Sequence, residues 1–438
     1  MKTNKKTVAQ TKTTHEGGRA SRITALQELK RSVMSCLLFE DQFYENGVDN
    51  ATRIKNLVAK VGPQDAVAVA ISARNDMHLR HAPLWIARWL AKNPEAKVGE
   101  LLPQIIQRAD ELAEFVAMYW KDKKQPLSKQ VKKGLAQAFT KFNEYALAKY
   151  NRDGAVKLRD VLFLSHAKPK DEAQAELWKK LIDGTLATPD TWEVALSAGK
   201  DKKETFERML KENTLGDMAF MRNLRNMAQA KVDEKLIKES FKKRNFNKVF
   251  PYRFIAAAEN APSFAAELEK KMLESLSEHP KLDGKTVLLI DVSGSMDMEM
   301  SGKSEMTRIH AASAIAVLAR EICENVQIFT FSERAKEVPN VHGFGLIDKI
   351  WNSQMRGGTN LWGSIRQIDA KVDYDRMIVF TDEQAHDSMT SKPKGQLYVV
   401  NVGAYQNGVA YKNSVHIDGF SEKVIDFIME YEKQSVVE

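Results

Sequence analysis

The chain has 438 residues, of which 43% are hydrophobic and 28% charged, and a net charge of +8. This length is too great for one core and predicts two domains of ordinary globular composition. No apolar run reaches the roughly 20 residues of a membrane-spanning helix, so no membrane partner is expected. Residues 1–22 are polar and basic, which excludes a secretory signal and predicts a flexible basic tail. Two distant cysteines, Cys36 and Cys323, exclude a disulfide framework and predict buried free thiols in a cytoplasmic protein.

The charge is divided unevenly along the chain. Residues 1–280 carry +13 and residues 281–438 carry −5, which together give the +8 of the whole chain. A basic region beside an acidic one favours a polyanionic partner for the first, although a solvated basic surface would look the same.

Residues 23–280 read as successive helices without strand alternation. Breaks are predicted at Gly62-Pro63, Pro83, Asn93-Pro94 and Gln125-Pro126. Short polar turns between helices of about 10–20 residues predict an α-solenoid of stacked helix pairs. The predicted helices cover 23–40, 50–61, 64–76, 84–92, 98–120, 129–150, 158–165, 171–184, 189–198, 202–211, 215–229, 232–242, 251–260 and 263–276.

Residues 281–438 follow a different pattern, in which short apolar strands alternate with helices. This pattern predicts an α/β, Rossmann-like domain whose parallel sheet is covered on both faces. In such a fold, ligands bind at the carboxyl ends of the strands. The predicted strands are 286–291, 326–331, 376–381 and 396–402, and the predicted helices are 307–325, 346–351, 361–368 and 421–431.

The strongest local signal is a set of oxygen donors at the ends of these strands. Asp291, Ser293 and Ser295 follow the first strand, Thr359 follows two glycines, and Asp382 ends the strand RMIVFT. Two carboxylates and three hydroxyls suit Mg²⁺ or another hard divalent cation, and the absence of His and Cys argues against zinc. The set resembles the metal-ion-dependent adhesion site of von Willebrand factor A domains. The alternative is that the two serines only cap the following turn.

The combination of a basic helical region with DVSGSM at 291–296 resembles the Ro autoantigen, or TROVE, family. The resemblance runs from about residue 24 to the C-terminus and depends on the order of several motifs. In the helical region these are ISAR at 71–74, HLRHAPL at 78–84, RDVLFLSHAKP at 159–169, FMRNLRNM at 220–227 and PYR at 251–253.

The resemblance implies a ring of HEAT-like repeats followed by an A domain. It also implies binding of small non-coding (Y-type) RNA on a basic outer surface and of single-stranded RNA ends in a central hole. A further implication is that the protein works with an exoribonuclease in RNA maturation and decay. RNA contacts are implied near Lys149, Arg152 and His166. The full candidate set is Arg74, Arg80, Lys149, Arg152, Arg159, His166, Lys168, Lys170, Arg222 and Arg225.

Three of these candidates have a plainer interpretation. His166 could be a helix C-terminal cap, and Arg222 and Arg225 could form structural salt bridges. The domain boundaries expected from all these patterns are 1–22 for the tail, 23–280 for the helical domain and 281–438 for the A-type domain.

The predicted function is that of a monomeric, non-enzymatic ribonucleoprotein component. The alternative is a metal-dependent protein–protein adaptor that receives an acidic side chain of its partner at the metal. A metal-dependent hydrolase is disfavoured, because no nucleophile–base pair stands out.

Overall fold

The computed structural model describes residues 14, 23–33, 47–301, 304–403, 408–409 and 414–435. The chain divides into two compact units. The helical unit consists mainly of Gly47–Ser275, and the A-domain unit combines Leu276–Glu438 with the N-terminal Met1–Met34. A helical region followed by an α/β region confirms the predicted fold class.

The helical unit is built from consecutive helices that pack on their near neighbours in sequence. After α1 (Ala25–Ser32), which belongs to the other unit, come the helices that form it. Many contact the helix two places further along, as expected for stacked helix pairs. They are α2 (Gly47–Val58), α3 (Pro63–Asn75), α4 (His81–Leu90), α5 (Val98–Ile105), α6 (Asp110–Tyr119), α7 (Lys129–Phe139), α8 (Glu144–Tyr150), α9 (Leu158–Ser165), α10 (Glu172–Asp183), α11 (Trp192–Ser197), α12 (Lys202–Lys211), α13 (Asp217–Gln229), α14 (Glu234–Lys242), α15 (Pro251–Asn260) and α16 (Ala265–Leu273).

Two predicted helices are each split in the structure. The predicted helix 98–120 breaks after Ile105, because Ile106 is extended and Glu111 accepts hydrogen bonds from the backbone of Gln107 and Arg108. The predicted helix 129–150 breaks because Asn143 caps a new helix by accepting from the Ala146 N–H. Side-chain capping therefore ended both helices where apolar periodicity continued.

The A-domain unit contains a six-stranded sheet in the order β5-β4-β1-β6-β7-β8. The strands are parallel except for β5, which pairs antiparallel with β4. The elements are β1 (Leu282–Asp291), β2 (Glu299–Ser301), β3 (Ser304–Thr307), α17 (Arg308–Ile322), β4 (Cys323–Phe331), β5 (Ala335–Val338), α18 (Gly345–Trp351), α19 (Leu361–Asp369), β6 (Arg376–Thr381), β7 (Gln396–Asn401), β8 (Val415–Asp418) and α20 (Lys423–Ser435).

The central strands carry the core of this unit. Every residue of β6 is buried, as are the last six residues of β1. This two-sided burial explains why both read as continuous apolar runs. The short strands β2, β3, β5 and β8 were not predicted, because they lack such a run.

The N-terminal part of the chain differs from the predicted boundary at residue 23. Helix α1 groups with the A-domain unit, where its fully buried Arg31 pairs with Glu383. The predicted tail lies outside the described residues except for Thr14, and Cys36 lies outside them too. Cys323 is buried and free. Among the described residues, no helix has the length and apolarity needed to cross a membrane.

Candidate functional site

Two carboxylates meet at the carboxyl ends of neighbouring strands. Asp291 is the last residue of β1, and Asp382 directly follows β6, which pairs with β1. Both side chains are fully buried. The strand order therefore brings together two acids that are separated by about 90 residues in the sequence.

The three predicted hydroxyl donors lie on loops joined by backbone hydrogen bonds. Ser293 Oγ and Ser295 Oγ are 3.3 Å apart, and the Ser293 N–H donates to Asp291 Oδ1 at 2.9 Å. The Gly294 N–H donates to the Gly357 carbonyl, and the Thr359 carbonyl accepts from the His386 N–H, each at 3.0 Å. All three hydroxyl residues are buried. The loops after β1 and β6 are thus both tied to the loop that carries Thr359.

The capping alternative for the serines does not fit this geometry. Ser293 precedes a short 3-10 helix, Gly294–Asp297, but its side chain makes no capping hydrogen bond. The Ser293 hydroxyl lies instead 3.3 Å from that of Ser295.

The two buried carboxylates of the site destabilise each other in their charged forms. Burial and the neighbouring Asp382 raise the pKa of Asp291 above its ordinary value, against the lowering effect of hydrogen bonds from Ser293 and Thr381. Buried like charges destabilise each other unless a cation or a proton lies between them. The Thr381 hydroxyl donates to Asp291 Oδ2 at 2.6 Å.

Arg308, the first residue of α17, provides part of the compensating charge. Its guanidinium is buried and donates to Asp382 Oδ2 at 2.9 Å. Sequence reasoning missed both Arg308 and Thr381. Arg308 follows an unpredicted hairpin, whereas Thr381 precedes a predicted ligand and could have been proposed from that position.

The donor set fits a small hard cation. Neighbouring ligands of an octahedral ion at 2.0–2.1 Å lie about 3.0 Å apart, close to the 3.3 Å between the two serine hydroxyls. The described residues contain no cluster of three or more His, Cys, Asp or Glu side chains suited to a metal. A site here would therefore use neutral hydroxyls as ligands beside two carboxylates.

The helical unit places several predicted RNA-binding residues on exposed positions around α9. Arg159 is exposed on α9, and His166, Lys168 and Lys170 are exposed just after its end. His166 ends the helix in a left-handed conformation (φ 53°), and its ring accepts a hydrogen bond from Lys132 Nζ at 3.2 Å. The C-cap interpretation therefore holds for its backbone and leaves its imidazole on the surface.

An exposed aromatic residue accompanies these charges. Phe163 is 57% exposed and lies four residues after Arg159 on α9, so these two share a helix face. His166 follows three residues later, at the end of the helix. We call Lys132, Arg159, Phe163, His166 and Lys168 the α9 patch. Sequence reasoning missed Phe163. It does not lie on the face of α9 that carries the buried residues, and the helical periodicity of the sequence could have shown this.

The other candidates lie in different settings. Lys149 Nζ is 5.6 Å from the ring centre of Tyr145, which is 44% exposed, and Arg152 is exposed nearby in sequence. Arg222 and Arg225 are exposed on α13, and neither pairs with a carboxylate of the described residues, so the salt-bridge alternative finds no support there.

Arg74 and Arg80 belong to an internal network. Arg74 is buried and donates to both carboxylate oxygens of Glu111, at 2.9 and 3.1 Å. Arg80 pairs with Asp110, Glu111 and Glu114. These contacts give both arginines a structural role between α3, α4 and α6, and they are left out of the proposed RNA surface.

Comparisons with known proteins agree with this architecture. Residues 184–328 match the TROVE domain family model, a match that runs from the end of α10 into β4. The crystal structure of the Ro (RSR) protein from Deinococcus radiodurans superposes with a TM-score of 0.58 at 16% identity, covering 90% of this chain and 96% of that one. A search of curated proteins found no match. Residues 184–328 are thus similar to the TROVE domain family, and the chain shares the fold of that Ro protein over most of its length.

Proposed function

We propose that this protein is an RNA-binding ribonucleoprotein component and not an enzyme. Its ligands would be small non-coding (Y-type) RNA and the single-stranded ends of misfolded or maturing RNA. It would act as a cytoplasmic monomer in RNA quality control or processing, beside an exoribonuclease. The observation that carries the proposal is the α9 patch, where the exposed Arg159, His166 and Lys168 lie on or just after the helix that carries the exposed Phe163.

The chemistry of the patch suits unpaired RNA. Lysine and arginine side chains neutralise phosphates, and a phenyl ring can stack on a base that is not held in a duplex. The patch has four basic or imidazole groups and one aromatic residue. Two of the basic groups, Lys132 and His166, are hydrogen-bonded to each other, and none of the four forms an ion pair with a carboxylate of the described residues. The pKa of the exposed Asp153 is lowered by Lys157 and, to a smaller extent, by Arg159, so one carboxylate lies near the patch without pairing with it. The positive charge of the patch attracts phosphate.

The metal site is proposed as a second, separate function. Asp291, Ser293, Ser295, Thr359 and Asp382 would hold Mg²⁺ or another hard divalent cation. With Arg308 nearby, two carboxylates leave a net charge of −1 before the ion binds and +1 afterwards. A positive site of this kind can accept a carboxylate from a protein partner, and this observation favours the adaptor as the second candidate function.

The RNA proposal is tested by binding titrations with a short duplex, with and without a single-stranded 3′ extension. The double substitution His166→Ala/Lys168→Ala should weaken binding of the extended RNA about tenfold or more at low salt. Its melting temperature should stay unchanged, because both side chains are exposed.

The matched control is Lys202→Ala/Lys203→Ala on α12, where two exposed lysines are removed away from the patch. An equal loss of RNA affinity in both variants would show that the α9 patch contributes only through non-specific charge. Absence of RNA binding by the unmodified protein would contradict the proposal and favour the adaptor, whose capture of a partner should then disappear on chelation of divalent ions.

A further inference from the structure

The loop that carries Asp382 is held by the N-terminal part of the chain. The Thr14 hydroxyl donates a hydrogen bond to the Ala385 carbonyl at 2.8 Å. Arg31, on α1, is fully buried and forms an ion pair with Glu383, which is also fully buried. Two points far apart at the N-terminus thus contact one loop of four residues, Asp382–Ala385.

Glu383 occupies a position where small changes would move the proposed ligand. It directly follows Asp382, and its backbone is left-handed at φ 59°, a conformation that non-glycine residues rarely adopt. Its N–H donates to Thr381 Oγ1 at 3.0 Å, and that same hydroxyl donates to Asp291 Oδ2. The backbone geometry at Glu383 is therefore coupled to both carboxylates of the site.

The side chain of Glu383 is fixed by two groups. Besides Arg31, His416 Nε2 of β8 lies 2.8 Å from Glu383 Oε2. Burial lowers the pKa of His416 to about 4, so the imidazole is neutral at pH 7. Arg31 is thus the buried cation opposite Glu383 among the described residues, and it comes from outside the sheet.

We propose that Arg31 and Thr14 are positioning residues for the metal site: they hold the loop Asp382–Ala385 in the conformation that presents Asp382 to the ion. The inference rests on the proposed metal site. Its physical basis is that outer groups which orient a ligand contribute strongly to metal affinity although they do not touch the metal.

The test is the affinity for Mg²⁺ alone, measured by calorimetric titration of the full chain. The variant Arg31→Met/Glu383→Gln removes both charges together, so the net charge near the ion is unchanged and only the positioning contact is lost. The expected result is a 10- to 100-fold weaker affinity, as found when outer-shell partners of metal ligands are removed. Thr14→Val should also weaken Mg²⁺ binding, but by a smaller factor. Arg31→Lys keeps a cation opposite Glu383, so its Mg²⁺ affinity should lie between those of the unmodified protein and the double variant.

The matched control is Arg376→Met/Glu432→Gln. This pair, at 2.9 Å, is an equally charge-balanced exchange in the same unit, but Arg376 begins β6 whereas Asp382 follows its end. The control should lower the melting temperature and leave the Mg²⁺ affinity unchanged.

Each outcome bears on one claim. If the unmodified protein binds no Mg²⁺, the proposed metal site fails. If it binds Mg²⁺ and a folded Arg31→Met/Glu383→Gln variant, or Thr14→Val, binds equally well, the positioning role is overturned while the site stands. An equal loss in the Arg376 control would also overturn it, because the effect would then reflect general destabilisation. If the double variant does not fold, Thr14→Val alone decides, since it changes neither charge nor a buried ion pair.

Discussion

The two candidate sites use charge in opposite ways. In the A-domain unit the ionisable groups of the metal site are buried and held by fixed partners such as Arg308 and Thr381. In the helical unit Arg159 and Lys168 of the α9 patch are exposed, and the exposed phenyl ring of Phe163 lies on the same helix as Arg159. The first arrangement depends on geometry and is little affected by salt, whereas the second is strongly screened by it.

The arginines of the helical unit also fall into two classes, buried and exposed. Arg74 is buried against Glu111, and Arg159 is exposed on α9. Only the second type is available to a phosphate. A basic residue in a helical protein therefore contributes to stability or to binding according to its burial, and substitutions should divide the two classes.

The largest effect is expected for Glu111→Ala. Glu111 is fully buried and accepts hydrogen bonds from Arg74, Arg80 and the backbone of Gln107. Its removal leaves a buried guanidinium without its partner and should lower the free energy of unfolding by about 3–5 kcal/mol in chemical denaturation. Glu114→Ala, which removes a half-exposed partner of Arg80, should cost less than about 1 kcal/mol. Similar losses in both variants would contradict the structural role given to Glu111.

Next in size is Asp291→Ala. It removes one of the two carboxylates of the proposed metal site, the one that accepts hydrogen bonds from Ser293 and Thr381. Mg²⁺ affinity should fall more than 100-fold in a calorimetric titration, beyond the 10- to 100-fold effect of an outer group. The affinity for RNA should stay nearly the same, because the substitution lies in the other unit. A large RNA defect in a folded Asp291→Ala protein would contradict the separation of the two functions.

A smaller effect is expected for Phe163→Ala. Loss of one stacked base costs about 1–3 kcal/mol, so binding of RNA with a 3′ extension should weaken about tenfold, and binding of the blunt duplex should change little. The dependence of affinity on salt should not change, because no charge is removed. Phe163→Tyr is the control, since it keeps an aromatic ring. An equal loss for both RNAs would show that Phe163 does not contact an unpaired base.

The smallest effect is expected for Arg222→Ala and Arg225→Ala. Both residues are exposed, so each substitution should change stability by less than about 0.5 kcal/mol. If each contacts one phosphate of a single strand, the slope of log affinity against log salt should fall by about 0.7 per substitution. Unchanged slopes would exclude α13 from the RNA surface.

The structural elements that can be predicted from sequence are those whose conformation is determined within one short segment. The strand RMIVFT was predicted with its observed bounds, Arg376–Thr381, because a strand buried on both faces is apolar throughout. Sequence predicts the candidate ligands as a group, because parallel strands end at one edge of the sheet. The breaks inside 98–120 and 129–150 were missed, because side chains of Glu111 and Asn143 ended helices whose apolar pattern continued.

The sequence by itself determined the two-part architecture, the positions of the central strands and the residues that could surround a cation. These follow from local hydrophobic periodicity and from the fact that the carboxyl ends of parallel strands lie at one edge of a sheet. Only the tertiary structure decided which cations are buried, that Arg308 faces Asp382, and that Arg31 and Thr14 hold the loop after it. Such contacts join residues up to 371 positions apart. No local pattern encodes them. Burying an unpaired charge costs several kcal/mol of free energy, so a buried charge has a partner, and tertiary packing determines which residue that is.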